Sequence, residues 1–300
     1  MKKFFTLLFT FLLFSSVSYA GAGTKIVMLG TGTPVPDAKR AGPGIAIVHN
    51  DIAYVFDTGA GVVRNAIKAY QQMGIKALNP TKIEHIFYTH MHSDHVIDFA
   101  EIVQTIWWRK EIKTQIYGPK EIVEMTKGMY GMMERDIRFR LESIQPKKRD
   151  DAWQVDTHVI EKGGVVYEGE GIVIEAFVVP HGEFKPAFGY KIVTDDKTIV
   201  ISGDTAFSET LIEKAKGADV LLHEVISREG LNSLSKSWQK YHMAYHTTTD
   251  KVAEVANRTK PKLLVLYHAL FYGASEESLM AEVKKDYDGK VILANDLDIF

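Results

Sequence analysis

The chain is predicted to be an α/β protein built on mixed rather than purely parallel sheets. Apolar strand-like runs alternate with segments of helical periodicity through most of its length. Two hairpins, turned at Asn50-Asp51 and over Asp195-Asp196, add antiparallel pairing. Asp57, His90, His181, Asp204, His223 and His268 are each expected just past the end of an apolar strand. Loops at one edge of a rigid sheet are where α/β enzymes assemble a site.

The elements follow in order. Thr24 to Leu29 reads as a buried strand running into the tight turn Gly30-Thr31-Gly32-Thr33-Pro34. That turn lacks the third glycine and the helix start of a dinucleotide loop. Ile45–His49 and Ile52–Phe56 form a strand pair, and Val62–Met73 a helix. Strand Ile83–Tyr88 feeds a histidine-rich stretch, and a helix over Val96–Trp107 leaves it. Gln115–Tyr117 is a short strand. Lys120–Met133 has helical spacing with no stop signal behind it. Arg135–Lys162 is polar and mixed, and is read as an excursion forming part of a substrate wall. Two strands lie in Val165–Val179, broken at Gly169–Gly171, and the hairpin Ala187–Val193 with Thr198–Ile201 comes next. Helices at Ser208–Lys216, Thr249–Arg258 and Ser275–Asp286 alternate with strands at Val220–Leu222, Leu263–Tyr267 and Val291–Leu293.

Met1–Ala20 has the form of a secretory signal peptide: Lys2-Lys3, the apolar run Phe4–Phe14, then Ser18-Tyr19-Ala20 before the cleavage point. The run is too short to span a bilayer, which takes about 20 residues. The expected mature chain, Gly21–Phe300, is a single domain, periplasmic or secreted, with no membrane attachment. With 36 basic and 38 acidic residues the net charge is −2, and loss of Lys2 and Lys3 makes it more acidic. A protein that grips a long polyanion usually shows a basic face, so nucleic acid is not the expected partner. The chain has no cysteine, so every metal ligand must offer nitrogen or oxygen.

The most informative stretch is His90-Met91-His92-Ser93-Asp94-His95. Three imidazoles and a carboxylate within six residues exceed what one tetrahedral ion needs, and two adjacent metals are the economical reading. Such a pair activates water and clamps both oxygens of a displacement, which points to a metal-dependent hydrolase. His49, His85 and His158 lack partners in sequence and are read as structural. His242 lies near Trp238 and Tyr241 in what reads as an aromatic loop; Phe184 and Phe271, each three residues past a candidate ligand, are the aromatics expected at the pocket.

In order along the chain, FDTG at Asp57, HMHSDH, VPHG at His181, SGDT at Asp204 and LYH at His268 resemble the metallo-β-lactamase superfamily. That resemblance implies an αββα sandwich of two mixed β-sheets flanked by helices. It implies two zinc ions per chain: His90, His92 and His181 on one, Asp94, His95 and His268 on the other, and Asp204 between them. Asp57 would orient ligands by hydrogen bonds. A hydroxide held between the ions, positioned in part by Asp94, would be the nucleophile. LGTGTPVP, YGP, LLHEV and YHTT are similar to the ribonuclease Z and arylsulfatase-like branch. By that likeness Glu224 orients His246, which protonates the leaving oxygen. Unlike ribonuclease Z, the chain carries an export signal, no long basic Gly-Pro-rich arm, and Ala269-Leu270-Phe271-Tyr272-Gly273 after His268. The expected substrate is therefore a small phosphodiester or sulfate ester. A lactonase, a β-lactamase-type hydrolase and a ribonuclease Z-like endonuclease are the alternatives, and a homodimer is left open.

Overall fold

A computed structural model describes residues 23–300; the expected signal peptide, Met1–Ala20, lies outside them. The first sheet is built from β1 (Lys25–Gly30), β2 (Gly44–His49) and β3 (Ile52–Phe56), then α1 (Val62–Met73) and β4 (His85–Phe87). Two short helices follow, α2 (Ser93–Val96) and α3 (Phe99–Gln104), before β5 (Thr114–Gly118), α4 (Ile122–Glu142) and β6 (Val155–Val159). The six strands lie in sequence order, β1 to β3 antiparallel and β3 to β6 parallel.

The second half holds β7 (Gly164–Gly169), β8 (Ile172–Val179), β9 (Ala187–Val193), β10 (Thr198–Ile201), α5 (Glu209–Ala215) and β11 (Val220–Ile226). It continues through α6 (Arg228–Ser233), α7 (Lys236–Tyr245), α8 (Thr249–Thr259), β12 (Leu263–Leu270), α9 (Glu276–Asp286) and β13 (Val291–Leu293). Its seven strands also lie in sequence order, β7 to β10 antiparallel and β10 to β13 parallel.

Alternation along the strands fixes the layering. Ile26, Met28, Phe56 and Phe87 of the first sheet meet Ile174, Tyr190, Ile201 and Val265 of the second in a core between the sheets. Val27, Leu29 and Val55 face the other way, onto Val62 and Ala66 of α1 and Phe99 and Ile102 of α3. Val200, Leu221 and Leu264 likewise face Leu211 of α5, Val252 of α8 and Leu279 of α9. The result is the αββα sandwich. No described helix is long and apolar enough to cross a membrane.

Several elements differ from the expectation. The helix expected over Val96–Trp107 is interrupted because the Asp98 carboxylate accepts from the Gly61 and Val63 amides, capping α1. Helix α4 runs on to Glu142, so the start of the presumed excursion is helical, and β6 within it adds an edge strand to the first sheet. The stretch around Trp238, Tyr241 and His242, read as an aromatic loop, lies in helix α7. His223 lies within β11 and His268 within β12, rather than just past their ends.

Candidate metal centre

The stretch from His90 to His95 leaves the C-terminal end of β4, three residues past Phe87. His181 follows β8, Asp204 follows β10, and Asp57 follows β3 at φ 61°. His268 reaches the same place by a bulge. Glu224 pairs with Tyr267 and Val225 with Ala269, so His268 has no partner in the ladder and adopts φ 46°. A bulge of this kind re-aims one side chain, here toward the loops of the other sheet.

Two groups of donors result. His92 Nδ1 lies 2.9 Å from His90 Nε2 and 3.2 Å from His181 Nε2. Asp94 Oδ2 lies 3.4 Å from His95 Nε2 and 3.3 Å from His268 Nε2. Asp204 Oδ2 stands among them, 4.0 Å from His90 Nε2 and 3.5 Å from both His95 Nε2 and His268 Nε2. His90, His95, His181, His268 and Asp204 are all buried.

A second layer fixes the tautomers. Asp57 Oδ2 accepts from His95 Nδ1 and from the Thr89 hydroxyl, each at 2.8 Å. With its own proton committed to Asp57, Thr89 Oγ1 accepts from His90 Nδ1 at 3.0 Å. His181 Nδ1 donates to the Tyr245 carbonyl at 2.8 Å. One carboxylate thus orients two imidazoles, and three Nε2 lone pairs face the centre. Thr89 and the Tyr245 carbonyl were missed in sequence; the only hint for Thr89 is its position directly before His90.

Electrostatics separate the histidines into two kinds. Burial, reinforced by neighbouring imidazoles, lowers His90 well below its ordinary range and His92 and His181 to about 4. These stay neutral, as a ligand must. For His95 and His268 burial also acts downward, but nearby carboxylates, chiefly Asp204, outweigh it and raise both; the positive charge these carboxylates call for is one that a divalent ion would supply in place of the protons. Burial would raise Asp204; His268, His95 and His90 together pull it well below the usual carboxylate range. His95 Nε2 and Asp204 Oδ1 are buried with no hydrogen-bond partner among the described residues. Convergent lone pairs, orphaned buried donors and an all-N/O set fit divalent ions of the zinc type.

Glu224 and His246 meet beside this cluster. Glu224 Oε2 and His246 Nδ1 share a hydrogen bond of 3.2 Å, and Oε1 accepts from the Thr247 amide at 2.6 Å. Burial and then Asp204 raise Glu224, while burial lowers His246 to about 4. His92, Asp94, Asp204 and His246 line one cleft of about 220 Å³ with Pro34, Tyr241, His242 and Tyr245. An adjoining recess of about 300 Å³ shares Pro34, Ser93 and Asp94 and extends past Arg40 and Ile97. A larger recess, about 420 Å³, lies between β6 and β7 along Tyr117 and His158–Val166. It holds none of the donor groups, so chemistry outweighs size in placing the site.

Of the aromatics, Phe184 does reach the centre, its ring 4.0 Å from that of His92. Phe271 instead lines a recess with Pro34, Arg40 and Tyr272. Trp238, Tyr241 and His242 belong to helix α7, not to a loop.

Fold and donor set together define a metal-dependent hydrolase on an αββα scaffold. The chain belongs to the metallo-β-lactamase superfamily: residues 53–269 match the family described as Beta-lactamase superfamily domain. It is similar to Ribonuclease Z of Mycobacterium sp. (strain KMS), 30% identical over 250 residues, covering 82% of this chain and 84% of that protein. Among solved structures it resembles the metallo-beta-lactamase fold protein YhfI from Bacillus subtilis (TM-score 0.70, 17% identity, 92% and 98% of the two chains). It also resembles human tRNase Z, short form (TM-score 0.65, 23% identity, 92% and 98%). The likeness to ribonuclease Z overturns the expectation against a nucleic-acid partner. That expectation used net charge, which averages over the whole surface and says little about one cleft.

Proposed function

We propose that the chain is an exported phosphodiesterase with two zinc ions, and that RNA is among its substrates. The observation that carries this reading is the position of Asp204, within 4.0 Å of His90, His95 and His268, in one cleft with His246. His90, His92 and His181 would hold one ion, Asp94, His95 and His268 the other, and Asp204 would contact both. When bound, such ions acidify a coordinated water and polarise the phosphoryl oxygen. Asp57 and Thr89 hold His90 and His95 in the tautomer that presents Nε2. Asp94, besides being a ligand, orients the attacking water by hydrogen bonding. Glu224 holds His246 by Nδ1, which turns Nε2 toward the cleft; burial keeps the Glu224 carboxyl protonated, so it passes its proton to Nδ1 as Nε2 gives one to the departing oxygen. Similarity to Ribonuclease Z supports a phosphodiester substrate.

Purified mature protein should contain about two zinc ions and cleave bis-p-nitrophenyl phosphate and a short RNA, with loss of both activities on chelation. Aryl sulfate and lactone substrates run beside them. A protein that carries both ions yet turns over only the sulfate or the lactone would reverse the substrate assignment. Export rests on Met1–Ala20; fractionation finding an intact N-terminus in the cytoplasm would refute it.

A further inference from the structure

The wall of the metal cleft formed by α7 continues outward as an array of aromatic rings. Tyr245 is pinned: a Cβ at Gly182 would lie 2.2 Å from its ring, so glycine is needed for this approach, and its hydroxyl accepts from the Glu183 amide at 3.2 Å. Tyr241 stacks on Tyr245 with centroids 4.4 Å apart. Trp238 meets Tyr241 edge-on at 5.5 Å and lies over His242 at 5.6 Å and 22°. His242 is held in turn by the Tyr272 hydroxyl at 2.9 Å. Tyr241, His242 and Tyr245 line the cleft together with Asp94 and Asp204. Yet Trp238 is 55% and Tyr241 43% exposed. Large aromatic faces left in water, fixed by neighbours and continuous with a reaction centre, mark a recognition surface.

We propose that Trp238 and Tyr241 form a stacking platform for the bases of a short single strand of RNA whose backbone enters the metal cleft. The proposal rests on the phosphodiesterase reading above. The Trp238 and Tyr241 rings stand at 87° to one another, so each takes a separate base on its own face rather than sharing one continuous stack. Every base has a π-face, so such a platform tolerates sequence, and stacking is worth about 1–3 kcal/mol per base. Stacking needs free base faces, which a short single strand offers and a duplex does not.

The test reads binding without turnover. Chelator-treated protein is titrated into a five-nucleotide RNA carrying 2-aminopurine, followed by fluorescence quenching. Wild type should quench and saturate. Trp238→Ala and Tyr241→Ala should each weaken binding about tenfold or more, and Tyr241→Phe should bind as wild type, because stacking needs the ring and not the hydroxyl. Circular dichroism checks that each variant is folded. Folded alanine variants that bind like wild type overturn the platform. So does gel filtration showing that wild type dimerises, the alanine variants are monomeric, and RNA binding is untouched, since the face would then seat a second copy. Cleavage of a small diester by the zinc-loaded protein is scored separately. Cleavage without this pattern of RNA binding refutes the platform alone, and the binding pattern without any ester cleavage refutes the hydrolase reading alone.

Discussion

The two halves of the sandwich supply the metal centre in different ways. The first sheet gives four donors, His90, His92, Asp94 and His95, from one loop and the single turn of α2 that follows β4. The second gives His181, Asp204 and His268 one at a time, from three separate strands, with Glu224 from a fourth. The first contribution is set by local geometry. The second exists only when β8 to β12 are in register, because a one-residue slip turns every side chain to the opposite face. Asp204 is where the two contributions meet.

Removing that junction should have the largest effect. Asp204→Ala takes away the one carboxylate among the described residues that lies within 4.0 Å of His90, His95 and His268 together. It should reduce bound metal to one ion per chain or none and lower diester turnover by about 10³-fold or more. Two ions retained, measured by plasma mass spectrometry, with activity within tenfold of wild type would show that the halves assemble independently.

Next in size is His246, a contribution of the second half to chemistry rather than to metal. His246→Gln should keep both ions and slow hydrolysis of diesters with poor leaving groups about 10²- to 10⁴-fold. The loss should shrink for p-nitrophenolate, which departs without a proton. An equal loss on both substrates would reassign His246 to positioning. Smaller again is Asp57→Asn, which disturbs only the first half by loosening His95 and, through Thr89, His90. Zinc affinity should fall about 10- to 100-fold, measured by competition with a chromophoric chelator. Unchanged affinity would mean that the loop backbone alone orients the imidazoles.

The same contrast explains what could be read in the sequence. The hairpin over Asp195-Asp196, helix α1 and the whole His90–His95 stretch announce themselves through turn residues, periodicity and spacing. Donors from the second sheet show locally only as a histidine or aspartate near an apolar run, and became legible as ligands through the ordered motifs VPHG, SGDT and LYH. His268 was expected past a strand end because nothing local signals a bulge; it arises from the register of β12 against β11. Helix α7 was hidden because its aromatic residues face a cleft and solvent, so no buried apolar stripe marks it. Helix α4 outran its expected end because its last turns are mostly exposed and polar.

Outside the donor set, β4 buries His85 and β11 buries His223. Burial lowers both from an ordinary value of 6.5 to about 4. A base whose folded pKa is depressed is protonated first in the unfolded chain. Its cost to the fold is therefore absent above pH 6.5 and grows as the pH falls from 6.5 toward 4. His85 stacks on Tyr54 at 5.3 Å and 13°, and its Nδ1 has no partner among the described residues. His223 Nδ1 donates to the Glu224 carbonyl at 2.6 Å. Phenylalanine can keep the ring stack of His85 and lacks the proton site, whereas at His223 it would strand a carbonyl. His85→Phe should therefore narrow the fall in Tm between pH 7 and pH 5 by on the order of a few degrees, read by calorimetry on the zinc-loaded protein. An unchanged fall would place the acid sensitivity in the other buried bases whose protonation is depressed, His223 of β11 and the His242–His246 pair beside the cleft.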